Sequence, residues 1–212
     1  MKPNIDYSLY FVTPDVNDTR LSELLKTTES LCRGGVTLVQ LRDKTGDGAA
    51  FYDKARKIKS ITDRFCVPLI INDRVDIALA VDADGVHVGQ EDIPAGVVRR
   101  LIGDDKLLGV SAKTLEEAGQ AETDGADYLG AGSVFPTSTK SDAESLSLHE
   151  LETITHKVDL PVVAIGGIQQ QNLQQLRHTH INGVAVVSAL YQKDNPEHVA
   201  REWKQQVKHT LK

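Results

Sequence analysis

The chain has 212 residues, a formal net charge of −6, 40% hydrophobic and 25% charged residues. That length can bury the core of one α/β domain without disulfide staples. The acidic balance and the lack of any Lys/Arg block exclude a duplex nucleic-acid face, which needs clustered positive charge, and no apolar run approaches the ~18 residues of a membrane span.

Cys32 and Cys66 lack CxxC or Cys/His ligand spacing and are read as free thiols. The opening "MKPNIDYSLYFV" has no positive region followed by a signal-type apolar stretch. Both readings point to a reduced, cytoplasmic protein.

Short runs rich in Val, Ile and Leu alternate along the chain with longer segments of helical period. "SLYFVT" (8–13) is a strand candidate and precedes a helix over 21–33. "VTLVQLR" (36–42) precedes a helix over 48–64, and "VPLIIND" (67–73) a shorter one over 74–81. "DGVHVG" (84–89), "LLGVSA" (107–112) and "YLGAG" (128–132) precede helices over 93–102, 114–124 and 147–157. "PVVAIGG" (161–167) leads to a helix over 172–179, and "GVAVVS" (183–188) to a closing one over 195–210. Continuous apolar strands followed by helices imply a parallel sheet covered on both faces. Eight such units predict a single-domain (β/α)₈ barrel over 1–212. A doubly wound sheet would normally carry an early GxGxxG turn, which is missing.

Active sites of such barrels sit at the C-terminal strand ends. Those ends carry Gln40, Arg42 and Lys44, then Asn72 and Asp73, then His87 with Asp92 just beyond, then Ser111, Gly166, Gly167 and Ser188. The loop "PTSTKSD" adds Thr137, Ser138, Thr139 and Lys140. Gln40, Arg42 and Lys44 are spaced by two, so they share one side of the extended chain. Arg42, Lys44 and Lys140 suit a phosphate or diphosphate, although pairing with Asp43 and Asp142 would also account for them.

Asp73 and Asp92 follow neighbouring strands ~4.8 Å apart, and two carboxylates with substrate phosphate oxygens commonly hold Mg²⁺. Helix capping is the competing explanation for both. Gly166, Gly167 and Ser188 follow the seventh and eighth strands, where barrel enzymes often bind a phosphate through backbone N–H groups. His87 is read as a hydrogen-bonded core histidine rather than a general base. Neither a Ser-His-Asp order nor an activated Cys suggests nucleophilic catalysis.

The segments "QLRDK", "IINDRVDIALAVDADGVHVGQED", "GVSAKT", "GAGSVFPTSTKSD", "AIGGI" and "VVSAL" resemble, in order, those of the thiamine phosphate synthase family, over about Leu9 to Trp203. The resemblance implies a (β/α)₈ transferase of thiamine biosynthesis. It would join 4-amino-2-methyl-5-pyrimidinylmethyl diphosphate to 4-methyl-5-(2-phosphoethyl)thiazole and release pyrophosphate. It assigns Gln40, Leu41, Arg42, Asp43, Lys44, Asn72, Ser111 and Lys140 to the pyrimidine diphosphate, with Arg42, Lys44 and Lys140 acting on the leaving group. It assigns Asp73 and Asp92 to Mg²⁺, and Thr137, Ser138, Thr139, Gly167, Val187 and Ser188 to the thiazole phosphate. Lys113 stands where members often have His or Cys, and Pro14 where they often have Asp. The expected partners are these small molecules, with neither nucleic acid nor membrane; monomer and homo-oligomer both stay open. The loop over 133–145 is a lid candidate. A related barrel that isomerises the thiazole phosphate, or a non-catalytic phosphate-binding module, would not need the diphosphate clamp.

Overall fold

Residues 5–44, 46–137 and 145–211 are described by a computed structural model of the chain. The apolar runs become strands β1 (Leu9–Val12), β2 (Leu38–Leu41), β3 (Leu69–Asn72), β4 (Gly85–Val88), β5 (Leu107–Ala112), β6 (Tyr128–Ala131), β7 (Val162–Ile165) and β8 (Gly183–Val186). All pair in parallel with their sequence neighbours, and β8 pairs with β1, so the sheet closes into the expected eight-stranded TIM-type barrel. The strands are shorter than the apolar runs that contain them. The residues beyond their C-terminal ends, Arg42, Asp73 and Gly166 among them, have left the ladder and form the barrel mouth.

Helices α1 (Leu21–Gly34), α2 (Gly48–Arg64), α3 (Val75–Ala80), α4 (Ala95–Ile102), α5 (Leu115–Thr123) and α6 (Leu148–Lys157) connect the strands, and α7 (Pro196–Thr210) follows β8. Their starts follow local chemistry. The Asp47 carboxylate accepts from Ala50 N at 2.8 Å, and the Thr114 hydroxyl from Glu117 N at 3.1 Å. Ser147 and Glu150 form a reciprocal capping box at the head of α6. The helix expected over 172–179 is a correction: only a 3₁₀ turn over Leu173–Leu176 forms. The chain there keeps i→i+3 bonds, with Arg177 N on Gln174 O and both Thr179 N and Oγ1 on Leu176 O, and His180 then turns left-handed at φ 54°.

Strand alternation divides the core. Leu9, Phe11, Val39, Leu41, Leu69, Ile71, Val86, Val88, Leu129 and Val184 face the helices, while Tyr10, Val12, Leu38, Ile70, Leu107, Tyr128, Val163 and Ala185 fill the barrel. At the strand starts one device recurs in every odd–even pair. A polar side chain just before the even strand accepts the N–H at the start of the odd one. Thr37 Oγ1 takes Leu9 N at 3.1 Å, Asp84 takes Leu69 N at 2.8 Å, Asp127 takes Leu108 N at 2.8 Å and Asn182 takes Val162 N at 2.8 Å. Four such bolts fix the floor of the barrel and satisfy N–H groups that the ladder leaves over.

Candidate active site

The mouth is built from the ends of β2, β3 and β4 and the loops that follow. Past Leu41 the alternation of β2 continues for three residues. Gln40 lies inside the barrel, 5% exposed, and its Nε2 donates to Tyr10 Oη at 2.8 Å. Leu41 and Asp43 face the helical layer instead. Leu41 is fully buried there, and the Asp43 carboxylate forms a buried ion pair with Lys54 of α2. Gly46 N donates to Asp43 at 2.9 Å, and Lys54 Nζ also donates to Val16 O at 2.8 Å. This anchor ties the loop after β1, the end of β2 and α2 together. It sets the backbone on both sides of Asp43 and so directs Arg42 and Lys44 toward the mouth.

Both cations find carboxylates, though not Asp43. The Arg42 guanidinium pairs with Asp15, whose other oxygen accepts Lys44 N at 2.8 Å, and the Lys44 ammonium pairs with Asp73. Asp73 takes a left-handed backbone, φ 61°, at the exit of β3, with its N–H on His87 O at 2.8 Å. Asn72 Nδ2 also donates to its carboxylate at 2.6 Å. The Asp92 carboxyl comes within hydrogen-bonding reach of Asp73, and Gly89 N donates to it at 2.8 Å. Neither aspartate caps a helix: the N-cap residues of α3 and α4 are Arg74 and Pro94. Burial raises the pKa of Asp73 above the usual carboxylate value; the Lys44 ammonium opposes this and the Asp92 carboxyl adds to it. Two adjacent, partly desolvated carboxylates form an all-oxygen donor set that fits a hard divalent cation.

Below the mouth, a chain of hydrogen bonds crosses the barrel. Tyr10 Oη lies 2.9 Å from Tyr128 Oη, which lies 3.1 Å from His87 Nδ1; His87 Nε2 lies 2.9 Å from Ser111 Oγ. Both ring nitrogens of His87 are thus engaged, as expected of a core histidine. Burial drives the phenol pKa of Tyr10 and Tyr128 upward, so both hydroxyls stay neutral. Gly109 makes the space: a Cβ there would lie 2.2 Å from Tyr128 Cζ and 2.4 Å from His87 Nδ1.

Across the mouth, Gly166 and Gly167 turn with φ 99° and 63°. A Cβ on Gly167 would lie 2.4 Å from the carbonyl oxygen of Pro136, so the loop after β6 closes directly on the loop after β7. Thr137 follows that contact, and half-buried Val187 and exposed Ser188 follow β8. Ser138, Thr139, Lys140, Asp142 and most of the lid candidate over 133–145 lie outside the described residues.

A family model described as thiamine monophosphate synthase matches residues 9–190. The chain belongs to that family. It is 51% identical over 199 residues to the thiamine-phosphate synthase of Clostridium tetani, covering 94% of this chain and 95% of that one. It is 55% identical over 195 residues to that of Ruminiclostridium cellulolyticum, covering 92% of each. Among solved structures, thiamine phosphate pyrophosphorylase from Pyrococcus furiosus superposes with a TM-score of 0.87 at 38% identity, covering 98% of both chains. The chain is accordingly a transferase of thiamine biosynthesis. Among the described residues no helix is long and apolar enough to cross a membrane.

The site of this thiamine phosphate synthase family barrel rests on three residues that sequence reasoning did not single out: Asp15 at the mouth, Lys54 in the helical layer behind it and Tyr128 below it. Asp15 sits one place after Pro14, where the expectation of an acidic residue had centred. Lys54 falls on the buried face of α2, a position at which a lysine needs a partner. Tyr128 opens β6 as an inward aromatic, and nothing in its neighbours in sequence announces that its hydroxyl meets His87.

Proposed function

We propose that this synthase joins 4-amino-2-methyl-5-pyrimidinylmethyl diphosphate to 4-methyl-5-(2-phosphoethyl)thiazole in the cytoplasm, by a dissociative substitution assisted by Mg²⁺. The observation that carries the reading is the meeting of Asp73, Asp92, Lys44 and Arg42 at one end of one barrel. Asp73 and Asp92 would hold the metal, which when bound offsets negative charge on the diphosphate.

The C–O bond between the exocyclic methylene and the diphosphate breaks first, and its electron pair leaves with pyrophosphate. The 4-amino pyrimidine delocalises the resulting positive charge. The thiazole nitrogen lone pair then forms the new C–N bond, so no proton must be removed and no general base is needed. An engaged His87 agrees with that requirement. Arg42, Lys44 and Lys140 stabilise the charge that builds on the leaving group. Asp15 and Asp73 keep Arg42 and Lys44 extended toward the mouth until diphosphate oxygens replace them as partners. Gln40, Asn72 and Ser111 line the pyrimidine side. Leu41 and Asp43 belong to the same strand end, but their side chains point away, so any contact from them comes through the backbone. Thr137, Ser138, Thr139, Gly167, Val187 and Ser188 bind the thiazole phosphate with hydroxyls and N–H groups, and their role is positioning.

The deciding experiment mixes both substrates with Mg²⁺ and follows thiamine phosphate. Asp73→Ala and Lys140→Ala are expected to lower kcat by roughly 10²–10³ with folding intact. Parental turnover in either variant would remove its assigned role. Calorimetry separates the synthase from a simple phosphate binder, because only the former requires Mg²⁺ for pyrophosphate binding.

A further inference from the structure

Glu152 and His156, four residues apart on α6, share a helix face, and His180 approaches them from the connection between β7 and β8. One carboxylate oxygen and one nitrogen from each ring all lie within 4.8 Å of one another. The two imidazoles meet edge to face with centroids 4.7 Å apart. α6 runs down to the start of β7, and His180 precedes the start of β8. The cluster therefore sits on the barrel floor, at the opposite end from Asp73 and Asp92.

We propose that these three side chains form a site for a borderline transition-metal ion of the Zn²⁺ type, which clips α6 to the β7–β8 connection. Two imidazoles and one carboxylate suit Zn²⁺, Co²⁺ or Ni²⁺, whereas Mg²⁺ prefers oxygen donors. In His156 the nitrogen left for an ion is Nε2. Its Nδ1 lies 2.7 Å from Glu152 O, and a carbonyl only accepts, so Nδ1 carries the proton and Nε2 presents its lone pair.

The backbone beside His180 is fixed independently of any metal. Thr155 Oγ1 lies 2.8 Å from Thr179 O, and buried Thr179 bonds back to Leu176 O at 2.8 Å. Tetrahedral bonds of ~2.1 Å put donors about 3.4 Å apart, so donors that lie within 4.8 Å of one another draw in by at most about 1.4 Å. His156 and His180 are exposed and Glu152 is half-buried, so rotamer changes can supply this, and solvent gives the ion its entry path and a fourth ligand.

The clip falls where the fold has most use for one. The β7–β8 connection has a single 3₁₀ turn in place of a full helix, so this corner has less helix to pack on the barrel. A metal here joins residues 24 or more positions apart in sequence and favours the folded chain, which alone holds all three donors together. Position on the floor assigns it to stability, since barrel chemistry takes place at the other end.

The test uses tag-free full-length protein in excess Mg²⁺, which keeps the oxygen site at the mouth saturated. Co²⁺ is titrated and followed by its visible absorption, Zn²⁺ by calorimetry and thermal unfolding. Expected is one saturable site per chain whose affinity drops at least about tenfold in His156→Ala, in His180→Ala and in Glu152→Gln. His178→Ala, in the same connection but outside the cluster, should bind like the parent. Zn²⁺ should raise the unfolding midpoint of the parent and of His178→Ala by the same amount, and that of His180→Ala by clearly less. Equal affinity in all four variants, or no saturable binding by the parent, would overturn the proposal.

Discussion

Lys54→Met is a direct probe of how the diphosphate clamp is held. The side chains of Lys54 and Asp43 are 4% and 0% exposed, so neither charge is served by bulk water. Methionine keeps most of the volume and apolar stem of lysine but removes two charge-assisted bonds, one to Asp43 and one to Val16 O. At ~1.5–3 kcal/mol for each such bond the loss sums to about 3–6 kcal/mol, which overlaps the ~3–5 kcal/mol typical of removing one partner from a buried pair. Urea unfolding followed by circular dichroism reads this as a midpoint shift of roughly 2 M, for a slope of ~2 kcal/mol per M. The substrate-level consequence is a raised KM for the pyrimidine diphosphate, because Arg42 and Lys44 flank Asp43. Pairing Lys54→Met with Asp43→Asn removes the uncompensated charge and should recover part of the stability. A shift under about 0.5 M, or a double variant no more stable than Lys54→Met alone, would refute the claim that this pair anchors the clamp.

Tyr128→Phe deletes the hydroxyl between Tyr10 and His87 and should destabilise the fold by ~1–3 kcal/mol in the same unfolding assay. Ser147→Ala breaks the capping box of α6 and should remove about 1 kcal/mol. Native protein should react with a thiol reagent quickly at exposed Cys66 and slowly at buried Cys32. Burial, and to a lesser degree Glu29, pushes the Cys32 thiol from its ordinary 9.0 up to about 12. The unfolded chain releases that proton first, so the contribution of the neutral thiol is whole below about pH 9 and lost as pH climbs toward 12. A Cys32→Ala variant should show a flatter decline in stability over that window.

The barrel was legible in the sequence because its signals are local. Eight apolar runs with helical segments between them lie within short windows, and the period of each is set by backbone geometry. Helix α2 over 48–64 follows from Asp47 and its neighbours alone. The polar strand ends were legible for the same reason: Gln40, Arg42 and Lys44 share a side in any extended chain, and Asn72 and Asp73 close an apolar run. Locally encoded signals failed where the outcome depended on competition. The helix expected over 172–179 had the composition but became a 3₁₀ turn, since Thr179 bonds back to Leu176 O and His180 turns left-handed.

What only closure of the barrel decided was which distant side chains meet. Asp15 reaches Arg42 across 27 positions, Lys44 reaches Asp73 across 29 and His87 reaches Tyr128 across 41. The floor bolts at Thr37, Asp84, Asp127 and Asn182 are single polar residues, each unremarkable in sequence. They became a fourfold pattern only when the strands lay side by side. Periodicity tells each residue which way to face, whereas its neighbour on that face is set by strand register and tilt, which belong to the whole closed sheet.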